Sequence, residues 1–212
     1  MGLSSRNGRR LLLALALCML PLGVIAADAP AAGDAVMIFS KDSTAGKNWV
    51  APKSDNNTLV VDEKAGKDGV PALHFHGEGA GWFGAGWNWC GWWPADAGND
   101  ISAKKNLHFW VKGKTAGDDK GVAFTVALAS SNAAAPDKPG KTGAVNIADY
   151  VAKWADGEWH EITIPLADLD KGAKPESKLD AAKAWELDIG SWAQDDRKLD
   201  VWLSDIGFTG AK

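Results

Sequence analysis

Three stretches of this chain alternate apolar residues with others at a period of two, and that pattern constrains the fold more than any other feature. Leu107, Phe109 and Val111 alternate with His108, Trp110 and Lys112; Val122, Phe124, Val126 and Leu128 alternate with small or hydroxyl residues; His160, Ile162 and Ile164 run into Pro165. Successive strand side chains point to opposite faces, so each stretch reads as a strand with one buried face. Further strands are expected at 36–40, 58–62, 71–77, 82–90, 184–189 and 199–208, with Gly, Asn, Asp and Pro clusters between most of them. Helical turns are expected only at 165–170 and 177–184. About nine strands with so little helix predict an all-β, single-domain sandwich over residues 35–210.

That sandwich has to stand on its packed core. Of the two cysteines, Cys18 lies in the apolar run LLLALALCMLPLGVIAA, which follows Arg6, Arg9 and Arg10 in the order of a secretory signal peptide. Cleavage after Ala26 leaves residues 27–34, ADAPAAGD, as a flexible lead-in. Cys90 is then the sole cysteine, and no internal disulfide forms. Leu17 stands before Cys18 where a lipoprotein signal wants a small residue, which argues against lipidation. The run is too short for a stable membrane span. A secreted or periplasmic protein without a membrane span after signal removal is expected. Loss of three Arg and no acid takes the formal net charge from −4 to about −7, which excludes a basic nucleic-acid footprint.

The segment GWFGAGWNWCGWW at 81–93 holds five of the chain's 12 tryptophans. Sugars present flat C–H faces that match an indole plate, with hydroxyls that need fixed polar partners. Here Trp82, Trp87, Trp89, Trp92 and Trp93 lie close to Asn88, with His74, His76 and Glu78 upstream and Asp96 downstream. On a regular strand Phe83, Ala85, Trp87 and Trp89 share one face, and Trp82, Gly84, Gly86, Asn88 and Cys90 the other. One face must be core, so Trp87 and Trp89 read equally as core rings or ligand rings. Trp92 and Trp93, between Gly91 and Pro94, read as a presented loop. Trp110 and His108 fall opposite the inward face of their strand, and Trp192 and Trp202 raise the same possibility. The candidate ligand-binding residues are therefore Trp82, Trp87, Trp89, Trp92, Trp93, Trp110, Trp192, His76, His108 and Asn88. Trp159 and Trp185 are assigned to structure; Trp49 and Trp154 carry no signal of their own.

Signatures of catalysis are weak. Glu186-Leu187-Asp188-Ile189-Gly190-Ser191 is similar to the catalytic strand of one jelly-roll class of retaining β-glucanases, but Ser191 stands where the protonating carboxyl belongs. Glu186 and Asp188 read instead as a solvated or ligand-contacting strand face. No Gly-x-Ser-x-Gly elbow, His-Glu-x-x-His helix or phosphate-cradling loop is present. Cys90, alone among aromatics, reads as a small buried hydrophobe. His74-Phe75-His76 puts two imidazoles on one strand face, suited to sugar contacts or, with a third ligand such as His108, to a transition metal.

Three phrases, AKKNLHFWVKG at 103–113, GEWHEITIPLADL at 157–169 and LDVWLSDIGF at 199–208, resemble in order and spacing the galactose-binding-like jelly-roll domains. The lead Asp100-Ile101-Ser102 and the strand GAGWNW at 84–89 extend the resemblance. It implies a jelly-roll β-sandwich and, because many such domains are carbohydrate-binding modules attached to glycoside hydrolases, binding of a polysaccharide or oligosaccharide. It also implies a structural Ca²⁺ near the first and last strands, with Asp205 at the matching position and Asp42 and Asp68 as companions. The chain departs from the pattern in having no room for a catalytic domain and in its many rings. Three functions stay open: a secreted non-catalytic glycan-binding protein using tryptophan platforms, a protein-interaction or envelope-assembly module whose rings meet a protein partner, and a glycan hydrolase or lyase using Glu186, Asp188 or the histidines.

Overall fold

Two long strands form the spine of the molecule. In the computed structural model, which describes residues 35–90, 98–115, 122–131, 138–174 and 178–211, β4 (Ala72–Asn88) and β10 (Ala184–Ala211) lie antiparallel from Leu73↔Leu203 to Asn88↔Glu186. Around them run β1 (Val36–Phe39), β2 (Lys47–Ala51), β3 (Asn57–Asp62), β5 (Lys104–Thr115), β6 (Val122–Ser130), β7 (Gly140–Lys141), β8 (Val145–Asn146) and β9 (His160–Pro165). Among the described residues one short α-helix, α1 (Leu166–Asp170), follows Pro165. The signal peptide, the lead-in and Trp92 and Trp93 lie outside the described residues.

Each spine strand bends at the same place. The register shifts between Ala193 and Arg197 on β10, opposite Gly81 and Gly79 on β4, whose φ values of 88° and 134° are open to glycine and costly for other residues. The bend folds one sheet over itself. On the front half the strand order is β2-β4-β10-β6, with β7 and β8 beyond β6; on the back half it is β3-β4-β10-β5-β9, with β1 beside the end of β10. The expected strands at 71–77 and 82–90 are thus two halves of β4, and those at 184–189 and 199–208 two halves of β10. Glycine or polar punctuation marks a corner as well as a loop, and pairing across the corner is a non-local fact.

The core lies between the halves. Phe83, Ala85, Trp87, Leu187, Ile189, Phe124, Val126 and Leu128 point into it from the front, and Leu73, Phe75, Leu107, Phe109, Val111, Ile162, Ile164, Val201 and Leu203 from the back. These are the inward positions of the period-two pattern. Phe75 meets Phe124 across the gap at 6.3 Å between ring centroids. Of the two expected helical turns, 165–170 forms α1, whereas 177–184 reduces to a 3-10 turn at Ala181–Lys183 with Asp180 accepting from the Ala182 N–H.

Candidate functional site

The outward face of the front half has a floor with almost no side chains. Reading across β2, β4, β10 and β6, one row is Ala51, Gly84, Gly190 and Thr125, and the next is Trp49, Gly86, Asp188 and Ala127. The strand alternation expected for 82–88 holds without a bulge, so Trp82, Gly84, Gly86 and Asn88 share this face. Its glycines are there because rings lie on them. A Cβ on Gly84 would stand 2.6 Å from the Trp82 ring, and one on Gly86 would collide with Nε1 of Trp49. Close approach of a ring to the backbone is a use of glycine that no other residue serves.

Trp82 is 53% exposed and Trp192, its Cα partner on β10, 46% exposed. Trp82 and Trp49 border an open cleft of about 330 Å³ lined also by Thr125, Ala127, Lys141, Asp188 and Gly190, and Trp192 stands beside Trp82 on the same face. Two acids lie at its base. Trp49 Nε1 donates to Glu186 Oε2 at 3.0 Å, and Lys141 Nζ pairs with Asp188 Oδ2 at 2.7 Å. Glu186 is only 4% exposed, and burial, with the neighbouring Asp188 carboxylate, pushes its carboxyl up to about 8. Glu186 and Asp188 are neighbours on one face of β10, close enough for the Asp188 carboxylate to raise the Glu186 carboxyl. Ser191 points to the core instead, donating to the Ala123 carbonyl.

The other expected site residues are scattered. Trp87 is core, 2% exposed, edge-on to Phe39 at 5.6 Å between centroids, and its Nε1 has no partner among the described residues. Trp89 is half-buried against Phe208 and donates to Asn99 Oδ1 at 3.0 Å. Asn88 is buried and donates to the Lys47 carbonyl. These three hold the strand end in place, and the physical reason is alternation for Trp87 and Trp89, and an edge-strand carbonyl within reach for Asn88. Cys90 donates to Asn99 Oδ1, and burial raises its thiol.

Trp110, His76 and His108 lie on the opposite, back face. Lys67 Nζ sits over the Trp110 ring, 4.9 Å from its centroid, and His108 Nε2 pairs with Glu161 at 2.9 Å. His74 Nε2 and His76 Nδ1 both meet Asp200 Oδ1, at 2.8 and 2.9 Å, so this acid joins the two imidazoles. Trp202 is closed on both sides, stacked on His74 at 4.3 Å and capped by Lys112 Nζ at 4.8 Å. A cavity of about 480 Å³ beside it is lined by Trp202, Lys112, Lys114, Asp156 and Glu158 among others. Asp205, at φ 49°, is half-buried; burial raises its carboxyl and Asp68 adds to the shift, against His108, Lys41 and Lys67. Both oxygens of Asp68 receive Lys67 Nζ, and Asp42 is exposed. Among the described residues no three His, Cys, Asp or Glu side chains group to hold a metal.

Trp49 and Lys141 are the site residues that sequence reasoning missed. A signal for Trp49 existed: Gly84 and Gly86 at alternate positions leave a bare strip that a ring from an adjacent strand must cover. Lys141 lies on a two-residue strand whose pairing no local pattern announces.

The profile of Carbohydrate binding domain 30 matches residues 35–210. The family 30 carbohydrate-binding module of a cellulosomal cellulase from Clostridium thermocellum is similar in structure, with a TM-score of 0.61 and 23% identity over 83% of this chain and 97% of that one. The family 11 carbohydrate-binding module of another cellulosomal cellulase from the same organism gives 0.54 and 13%, over 84% and 95%. A β-1,2-glucanase from Parabacteroides distasonis gives 0.58 and 17%, over 84% of this chain and 26% of that one. Among curated proteins no sequence matches significantly. The structural likenesses carry the β-sandwich fold, and the profile, spanning all of that sandwich, carries the family: this chain belongs to Carbohydrate binding domain 30 and is a carbohydrate-binding module.

Proposed function

We propose that the protein is a secreted, non-catalytic module that binds a neutral β-linked glucan in the front cleft, with Trp82, Trp192 and Trp49 as platforms. The observation that carries this reading is the pair of indoles lying on glycines. A ring laid on a backbone strip keeps its outer face free for the C–H face of a sugar, whereas the Trp202 ring is covered on both sides. The cleft favours an uncharged chain because Lys141 is already engaged by Asp188. Asp188 and Thr125 supply polar atoms for hydroxyls in its lining. A β-glucan is supported by the structural neighbours, one of which is a family 11 module in complex with a β-1,3-1,4-mixed-linked tetrasaccharide, 14% identical with a TM-score of 0.53. Of the two acids, Glu186 is buried and bonded to the Trp49 indole and Asp188 is paired with Lys141, which favours binding over hydrolysis. Export is supported by the Arg-led apolar run at residues 6–27.

Affinity electrophoresis and calorimetry on a panel of soluble glucans, xylan and polygalacturonate test the reading. Retardation in a β-glucan gel, no retardation in polygalacturonate and no release of reducing ends are expected. Silence across the whole panel, with a specific protein co-purifying, would move the exposed rings to a protein partner. N-terminal sequencing of the exported chain, expected to begin near Ala27, tests the signal peptide.

A further inference from the structure

Beneath the cleft one carboxylate oxygen has no donor among the described residues, and neither has the amide Oδ1 of Asn88, the Cα partner of Glu186 on β4. Asp188 gives Oδ2 to Lys141, but its Oδ1 is buried and unpartnered among the described residues. Buried acceptors are almost always hydrogen-bonded, so a donor is called for. The group within reach is Glu186, two residues earlier on the same strand face, and it can donate only if it keeps its proton. Its Oε2 meanwhile accepts from Trp49 Nε1. A single proton on Glu186 completes the chain from Trp49 through Glu186 and Asp188 to Lys141.

We propose that Glu186 is the positioning residue of the glucan cleft: as a carboxylic acid it donates to Asp188 Oδ1 and accepts from Trp49 Nε1, and so holds the Trp49 ring flat on the floor at Gly86. The inference rests on the cleft being the glycan site. Burial and the Asp188 charge keep the proton on Glu186 up to about pH 8, against the Trp49 N–H and the Lys141 ammonium. The charged or titratable groups facing it are Asp188 on β10 and Lys141 on β7. From β2 come Trp49, in the row of Asp188, and the exposed Lys47, in the row of Glu186 beyond Asn88, while its Cα partners on β4 and β6 are Asn88 and Ala129, which do not titrate. When Glu186 ionises, two carboxylates face each other at hydrogen-bond range in a buried place. That repulsion outweighs one neutral N–H, so the pair parts and the acceptor that orients Trp49 moves with it.

Near-UV circular dichroism of the ligand-free full chain from pH 6 to 10, in parallel with calorimetry on a soluble β-1,3-1,4-linked glucan, tests this. The wild type is expected to show an aromatic transition near pH 8 and an affinity at least fivefold weaker at pH 9.5 than at pH 6.5. Glu186→Gln, whose amide can donate to Asp188 while its carbonyl accepts from Trp49, should remove the transition and rescue binding at pH 9.5. Glu186→Ala should weaken binding at both pH values. A flat wild-type spectrum, or a transition that persists in Glu186→Gln and so belongs to another group such as the Cys90 thiol, overturns the proposal. Glucan bound equally at both pH values overturns it while leaving the glucan reading intact. Absence of glucan binding alongside a transition removed by Glu186→Gln does the reverse.

Discussion

Trp82 and Trp87 occupy opposite faces of β4, and the division makes opposite claims about single substitutions. Trp82 stands half out of the fold on the glycine floor, with its burial coming from the sheet beneath it rather than from the core. Trp82→Ala should weaken glucan binding by about 1–3 kcal/mol, the range of an interface anchor, with the melting temperature nearly unchanged. Trp87, by contrast, fills the space between Phe39 and Gly46, where a Cβ on the glycine would strike its ring. Truncating it leaves a large cavity, and Trp87→Ala should cost about 3–5 kcal/mol of folding stability, less whatever its unpartnered indole N–H already gives away. Calorimetric binding and denaturant unfolding on the same two variants read both outcomes.

At the scale of the element, β4 does two jobs that its glycines separate. Gly79 and Gly81 turn the strand from one half of the sandwich to the other, and Gly84 and Gly86 clear its outward face for rings. Gly86→Ala meets no left-handed backbone, and alanine loses less entropy than glycine on ordering, so the strand itself is not harmed. The new Cβ instead takes the place of Trp49 Nε1 and lifts that ring off Glu186. The expected result is a folded protein with a shifted near-UV spectrum and glucan affinity at least tenfold weaker. A variant that unfolds, or one that binds as the wild type does, would show that the bare strip serves packing rather than the cleft.

At the scale of the whole molecule, two buried clusters set opposite limits on stability with pH. Glu186, raised from 4.5 to about 8 in the fold, holds a proton that the unfolded chain has lost. Its contribution is full below the unfolded value and is lost as pH rises, at up to about 1.4 kcal/mol per pH unit until about pH 8. Asp200 works the other way: burial pushes its carboxyl up, but hydrogen bonds to His76 and His74 outweigh that and hold it low, so its contribution is present above the unfolded value and lost in acid. Urea unfolding at pH 5, 7 and 9 should therefore show falling stability across the series, and Glu186→Gln should flatten it. The period of two determined, from sequence alone, the inward faces of β5, β6 and β9 and with them the all-β class, because alternation is a local property of an extended chain. The AKKNLHFWVKG, GEWHEITIPLADL and LDVWLSDIGF phrases carried the likeness to carbohydrate-binding modules for the same reason, being fixed by strand and turn chemistry. Only the tertiary structure decided that β4 and β10 run through their corners, that Trp110 and the histidines lie on the far side from Trp82, and that Trp49 and Lys141 join Glu186 and Asp188. Those juxtapositions depend on which strands pair and at what register, and pairing is chosen by burial of the whole sheet, which no single stretch of residues encodes.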